Sequence, residues 1–547
     1  MKIQLVPIAA ALCCGLAFAA HAPAAPQAPP APAAASASLN WLMDGGTNQR
    51  SGWQRGDTGI TPANVGGLRL LWTVHTGNQA RALHSLMAPL VVENVPTSDG
   101  PQEVVYVVGS SDNLYAIQTS VGKILWKRHF TYPALPSRFG FARPQPANPA
   151  DLGFLGPGGS TDVPAIGSAA ADGHRPIYVM DGGGFLHILD DVTGQAMKPK
   201  ISMGVTSKFS LQLYKNQIIF VTGAGVTSVN VAEPGAPVEH TTNFAGGGGL
   251  WGRRGPAIDY NGTVWSTIGD GIVNTSNPNH LTLGDSVVGF AQQPDGSWKV
   301  KNWFTPTYWR WLQKRDLDWN NTPTIFRYDG RQLLVGAGKE CRLYLLDPND
   351  PGGPNHHVPL FRSPRFCNDM ADFQNAGSWG ALSSWVDASG TRWVIAPFWG
   401  PPSTETQFPI VNTPVAREGG EAAFKLTDTG GHLALEPAWV SQDMYRGDPP
   451  IITDGIVWGF AAGDNTQQAW PDIGLQFNSS IRAALSGHAT IYALDAQTGK
   501  TLWSSGDHIK TFAHFSGLAV ARGKVFLGTY DGVLYCFGLP PSPAPSN

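Results

Sequence analysis

The sequence predicts an all-β chain closed into a ring of about eight four-stranded blades, a β-propeller. Three observations predict it. A strand–turn–strand unit recurs along the chain. Gly (65) and Pro (44) are abundant while only 14% of residues are charged, a balance that favours many turns and short strands over long helices. Trp, at 19, supplies large apolar wedges that can sit between neighbouring sheets. The 42% hydrophobic share allows a large core. A net charge of -3, with no basic run, argues against nucleic acid or anionic lipid as a partner.

The N-terminus reads as an export signal, residues 1–22. Lys2 gives the positive end, Ile8 to Ala20 are apolar and small, and Ala17-Phe18-Ala19 and Ala20-His21-Ala22 offer small-x-small cleavage sites. Pro23 hinders the second, so the first is preferred. The apolar run is shorter than the roughly 20 residues that span a bilayer, no later stretch could span one, and Ala10-Ala11-Leu12 before Cys13-Cys14 is not a lipobox. Residues 23–38, nearly all Ala, Pro and Ser, form an extended linker, and 540–547 a similar tail. The folded body is 39–539, expected in the periplasm or outside the cell. Its cysteines are Cys341, Cys367 and Cys536. An oxidising location allows a Cys341–Cys367 disulfide, and Cys536, in a strand-like run, is expected as a small buried hydrophobe.

The repeat carries the fold. Leu114-Tyr115-Ala116-Ile117 leads to Val121-Gly122-Lys123-Ile124-Leu125-Trp126, and Ile491-Tyr492-Ala493-Leu494-Asp495 leads to Thr498-Gly499-Lys500-Thr501-Leu502-Trp503. A weaker copy runs from Leu186 to Gln195, and truncated ones begin at Leu343 and Leu534. Residues alternate at period two, Asp and Thr-Gly supply turn hydrogen bonds and a positive φ, and the outward strand ends on Trp. Buried runs such as Val104 to Gly109, Leu333 to Gly338 and Lys524 to Thr529 precede the units. One such sheet cannot bury both faces, so blades must stack, and a body of this length at about 60 residues each makes about eight.

These units resemble the repeats of pyrroloquinoline quinone (PQQ) dependent dehydrogenases. The opening segment from Trp41 to Trp72, the stretch from Trp251 to Gly271, and Phe304 to Lys339 are similar to segments of that superfamily. The resemblance implies a quinoprotein propeller oxidising an alcohol or polyol. In those enzymes PQQ lies near the axis between a Trp and a disulfide of adjacent cysteines. A calcium ion is held by Glu, Asn and a catalytic Asp, and a Lys or Arg touches the quinone oxygens. Carried over residue by residue, Asp318 is the catalytic base, with Asp316 as its near alternative. Trp251 and Lys339 contact the cofactor, while Asp270 and Asp318 hold calcium. Each also has a plainer role: blade packing for Trp251, turn or cap carboxylates for the three Asp residues, a solvated amine for Lys339.

The chain departs from that pattern at three points. Its body contains no adjacent cysteines, the segment Val221 to Val226 offers no metal-binding Glu, and there is no Cys-x-x-Cys-His for haem c, so electrons would leave to a separate acceptor. Two functions stay open: a quinoprotein oxidoreductase with a small-molecule alcohol substrate, and a non-catalytic propeller binding a protein or glycan partner at the cell envelope. The aromatic segments 303–319 and 379–399 could line a funnel or form a binding face.

Overall fold

The computed structural model describes residues 38–56, 58–133, 159–207, 209–223, 225–241, 246–277, 280–370, 376–467 and 477–540. The signal 1–22, the linker up to its last residue and the tail beyond 540 lie outside the described residues. Eight sheets of four strands follow one another, two of them widened by a short fifth strand, and the chain is an eight-bladed β-propeller. In chain order the blades span 90–129, 165–202, 212–240, 257–304, 324–362, 383–440 and 447–504. Blade 8 joins 518–538 to Arg69–His75. Only two short α-helices, Trp309–Gln313 and Ser479–Leu485, occur among the described residues, and none of the helices is long and apolar enough to cross a membrane.

Each blade is an antiparallel meander whose first strands are buried and whose fourth is the most exposed. In blade 1, Leu90–Thr97, Gly100–Gly109 and Asn113–Gln118 are mostly buried, whereas Lys123–His129 is half-exposed. Successive buried runs supply two apolar faces, as a sheet packed on both sides requires. The repeat Trp joins one blade to the next. Trp72 donates its indole N–H to Thr119 O at 2.9 Å, Trp126 to Asp191 O at 3.1 Å, and Trp439 to Ala496 O at 3.1 Å. Each ring lies on the glycine of the next blade's turn, Gly122, Gly194 or Gly499.

The ring closes between the two ends of the body. Val533–Gly538 pairs antiparallel with Arg69–His75, so the last blade takes its outermost strand from the start of the body and no sheet edge is left open there. Cys341 and Cys367 are bonded, with Cα atoms 5.3 Å apart, and Cys536 is buried and free. His356 and His357 sit in a loop rich in Pro and Gly but are both held by contacts. His356 stacks on Trp303 with ring centroids 3.7 Å apart, and His357 Nδ1 lies 2.6 Å from Thr305 O.

The described residues from Trp41 to Thr58 contact every blade. Trp41 exchanges backbone hydrogen bonds with Val91 of blade 1. Leu42 O then accepts from Ile166 N–H in blade 2, and Asn48 O from the Gln212 side chain in blade 3 and from Ile258 N–H in blade 4. Gln49 O accepts from Ile325 in blade 5, Ser51 O from Ser384 in blade 6, Gly52 O from Ile452 in blade 7, and Thr58 O from Gly523 in blade 8. Seven of these blades are held through backbone N–H groups that their own sheets leave over, which is why so irregular a segment can be buried.

Candidate functional site

Blades 4 and 5 build the site between them. Leu250–Trp251 pairs with the end of Val264–Ile268, which sets the Trp251 indole beside the turn Gly269-Asp270-Gly271. The helix Trp309–Gln313 delivers Asp316 and Asp318. Lys339 follows Arg331–Ala337, and its N–H donates to Asp318 O at 3.0 Å, locking the two segments together.

The five residues singled out from sequence meet here. Lys339 Nζ lies 2.6 Å from Asp318 Oδ1 and is also ion-paired with Asp316. Asp270 N–H donates to Asp318 Oδ2 at 3.2 Å. Oxygens of Asp270, Asp316 and Asp318 lie within 4.8 Å of one another. Gly269 must be glycine for this approach, because a Cβ there would stand 2.3 Å from Asp318 Oδ2 and 2.6 Å from Trp251 Nε1.

Negative charge exceeds positive in this cluster. Burial first, then Asp318 and Asp316, push the Asp270 carboxyl up to about 8 against the pull of Lys339. Burial alone would lower the Lys339 ammonium, but Asp318 and Asp316 outweigh it and hold it above the ordinary lysine range. A fourth carboxylate, Asp285, was not found from sequence. It is fully buried, its N–H donates to Gly269 O at 3.0 Å, and neither carboxylate oxygen has a hydrogen bond of good geometry. Burial, then Asp318 and Asp270, push it up to about 9, with the nearby Gly271 N–H and Lys339 pulling weakly the other way. In sequence Gly284-Asp285 looks like any hairpin turn, and its one signal is that it repeats the Gly269-Asp270 pair.

Aromatic rings gather beside Trp251. Phe209 and Trp379 lie 5.8 and 6.2 Å from it by ring centroid, Trp379 stacks on Phe515 at 5.0 Å, and Trp399 lies 5.9 Å from Trp379. Trp379, Trp399 and Phe515 border a small cavity whose polar wall includes Asp448, Asp464 and His514. His514 Nδ1 and Arg482 Nη2 lie 2.5 and 3.2 Å from Asp464 Oδ2. Just past Trp251, Arg253 and Arg254 turn into the interior. Arg253 Nη1 pairs with Asp44 Oδ2 at 3.0 Å, and Arg254 donates to Leu382 O at 3.0 Å and Pro450 O at 2.6 Å. These arginines tie blades 6 and 7 to the segment that carries Asp44.

No family model matches the chain, and no curated protein matches it. Solved structures do. A quinohemoprotein alcohol dehydrogenase from Comamonas testosteroni superposes with a TM-score of 0.53 at 15% identity, covering 94% of this chain and 83% of that one. A europium-containing methanol dehydrogenase gives 0.56 at 13% identity, covering 91% and 98%. A quinohemoprotein alcohol dehydrogenase from Pseudomonas putida HK5 gives 0.51 at 12% identity, covering 93% and 82%. At such identities the likeness is one of fold. This chain has the eight-bladed propeller architecture of the quinoprotein alcohol and methanol dehydrogenases.

Proposed function

We propose that the chain is an exported quinoprotein-type oxidoreductase that oxidises a small alcohol or polyol and passes the electrons to a separate acceptor. The observation that carries this is the meeting of Trp251, Asp270, Asp316, Asp318 and Lys339 at one point between two blades. Structural roles such as turn capping or blade packing do not require five such residues to converge.

The residues present suit the cofactors. Oxygens of three carboxylates within 4.8 Å of one another, in excess over one ammonium, are the donor set of a hard cation such as calcium. Trp251 offers an aromatic face and Lys339 a cation for quinone oxygens. When bound, PQQ supplies a hydride acceptor and calcium a Lewis acid. The chain's own part is to position and to move a proton. Asp318, fixed at Oδ1 by Lys339 and at Oδ2 by the Asp270 N–H, takes the proton of the substrate hydroxyl. Asp316, more exposed, stands beside it on the same ammonium.

One observation favours the other reading, a propeller that binds a protein or glycan at the cell envelope. The rings of Phe209 and Trp379 pack against Trp251, and the body has no adjacent cysteines to complete a quinone sandwich. The two readings separate in one experiment. The purified full chain is incubated with PQQ and calcium, and its absorbance and intact mass are recorded. The expected result is one retained quinone and PQQ-dependent dye reduction. Asp318→Asn should keep the quinone and lower dye reduction by at least about a hundredfold, the contribution of a positioned acid–base group. A wild-type chain that takes up no quinone would leave the binding propeller.

A further inference from the structure

We infer that Asp285 belongs to the surround of the cation site, supplying there the negative charge that the segment from Val221 to Val226 lacks. The inference rests on the proposed function and adds a residue to it.

The local backbone explains the substitution. The 221–226 segment passes close to the site, since a Cβ on Gly249 would stand 3.4 Å from Gly223 Cα, and Gly249 O accepts the N–H of Gly269. At that approach the segment has Gly223 and no acid. Asp285 reaches the same loop through its own N–H, bonded to Gly269 O. Its carboxylate is fully buried, feels the charges of Asp318 and Asp270, and has no hydrogen bond of good geometry. Asp270 Oδ1 is likewise buried without a partner. A buried acid met only by the poorly aligned Gly271 N–H costs folding energy, and the packing around it leaves most of that cost standing. A hard cation against Asp270, Asp316 and Asp318 does use it, because a positive charge there favours the ionised Asp285 carboxylate beside it without a direct bond.

Asp285 lies outside the group of oxygens that fall within 4.8 Å of one another. It therefore acts as a positioning residue behind the three, holding the ion through charge. That role gives it a signature no packing residue shares: its removal should steady the metal-free protein and weaken the ion.

The test is calorimetric titration of calcium into the full chain, paired with thermal unfolding in chelator and in calcium. Asp285→Asn should lower calcium affinity at least about tenfold while raising the midpoint of the metal-free protein. Asp507→Asn, which removes an equal charge at an exposed site, should change neither. Asp285→Ser serves as a second variant if the amide does not fold. Luminescence of bound terbium, excited through tryptophan, gives an independent measure of ion binding. A variant that binds calcium like the wild type overturns the role of Asp285 and leaves the site standing. A wild-type chain that binds neither calcium nor terbium overturns the site itself.

Discussion

At the scale of single residues, the acidic cluster sets a pH dependence. Asp270 and Asp285 ionise freely in the unfolded chain near 4, but only at about 8 and about 9 when folded. Between those values the folded chain holds protons that the unfolded chain has lost, so stability must fall as pH rises. Metal-free protein is expected to unfold at progressively lower temperature from about pH 5 to pH 9, and saturating calcium should remove the part of that slope that Asp285→Asn also removes. Calorimetry across this range checks it, and a flat wild-type profile would refute it. Five of the site residues were legible because each sits in a segment that resembles a known one: Trp251 before Gly252-Arg253-Arg254, Asp270 inside Gly-Asp-Gly, Asp316 and Asp318 before the Trp319–Gly338 bridge and Lys339 after it. Asp285 was not, because its importance lies in the donors it fails to meet. Trp379 stood in a segment marked by its aromatic content, but its grouping with Phe209 and Phe515 was not legible, because three distant segments place the rings together.

Among elements, the recurring unit is a latch as well as a hairpin. The outward Trp of one blade hydrogen-bonds a carbonyl in the next blade's turn and covers that turn's glycine. Gly194 shows why the Thr-Gly pair recurs. Its φ is +64, and a Cβ there would stand 2.7 Å from Trp126 Cε3. Gly194→Ala should therefore cost about 1–3 kcal/mol, within the range for strain and overpacking. Trp126→Phe should cost about 1–2 kcal/mol through the lost hydrogen bond and contact area. Denaturant titration of the two singles and the double tests the latch: the double should cost clearly less than the sum, since both changes break one contact. Additive costs would refute it. Blades whose hairpin carries the Asp and Thr-Gly unit were readable in sequence. Blade 6, although it supplies the latch residue Trp439, was not, because its long strands Gly419–Thr429 and His432–Val440 turn through Gly430-Gly431 instead of that unit.

For the whole molecule, closure has two parts, and only one could be read in advance. The pairing of Val533–Gly538 with Arg69–His75 follows from patterned strands at both ends of the body. The circuit of 41–58 does not, because it is made mostly by carbonyl groups, which every residue has, and its buried ion pairs need Asp44 to meet Arg253 and Arg254 from a distant segment. Deleting residues 39–56 would leave inner-strand N–H groups unpaired and Arg253 and Arg254 buried without Asp44. An unpaired buried charge of this kind costs about 3–5 kcal/mol, so the deleted chain is expected to lose its sharp thermal transition even though its strands are intact. A truncated chain that melts like the full one would show the circuit to be dispensable.

That circuit also imposes an order in time. The residues that contact all eight blades leave the ribosome before any blade exists, and their last anchor, Gly523 in blade 8, is made nearly at the end. Early blades can pair their strands as they emerge, yet the hub that joins them waits on the final turn of the wheel. Residues made ahead of every blade therefore complete their seating last, and an interrupted synthesis yields spokes around an unfinished hub.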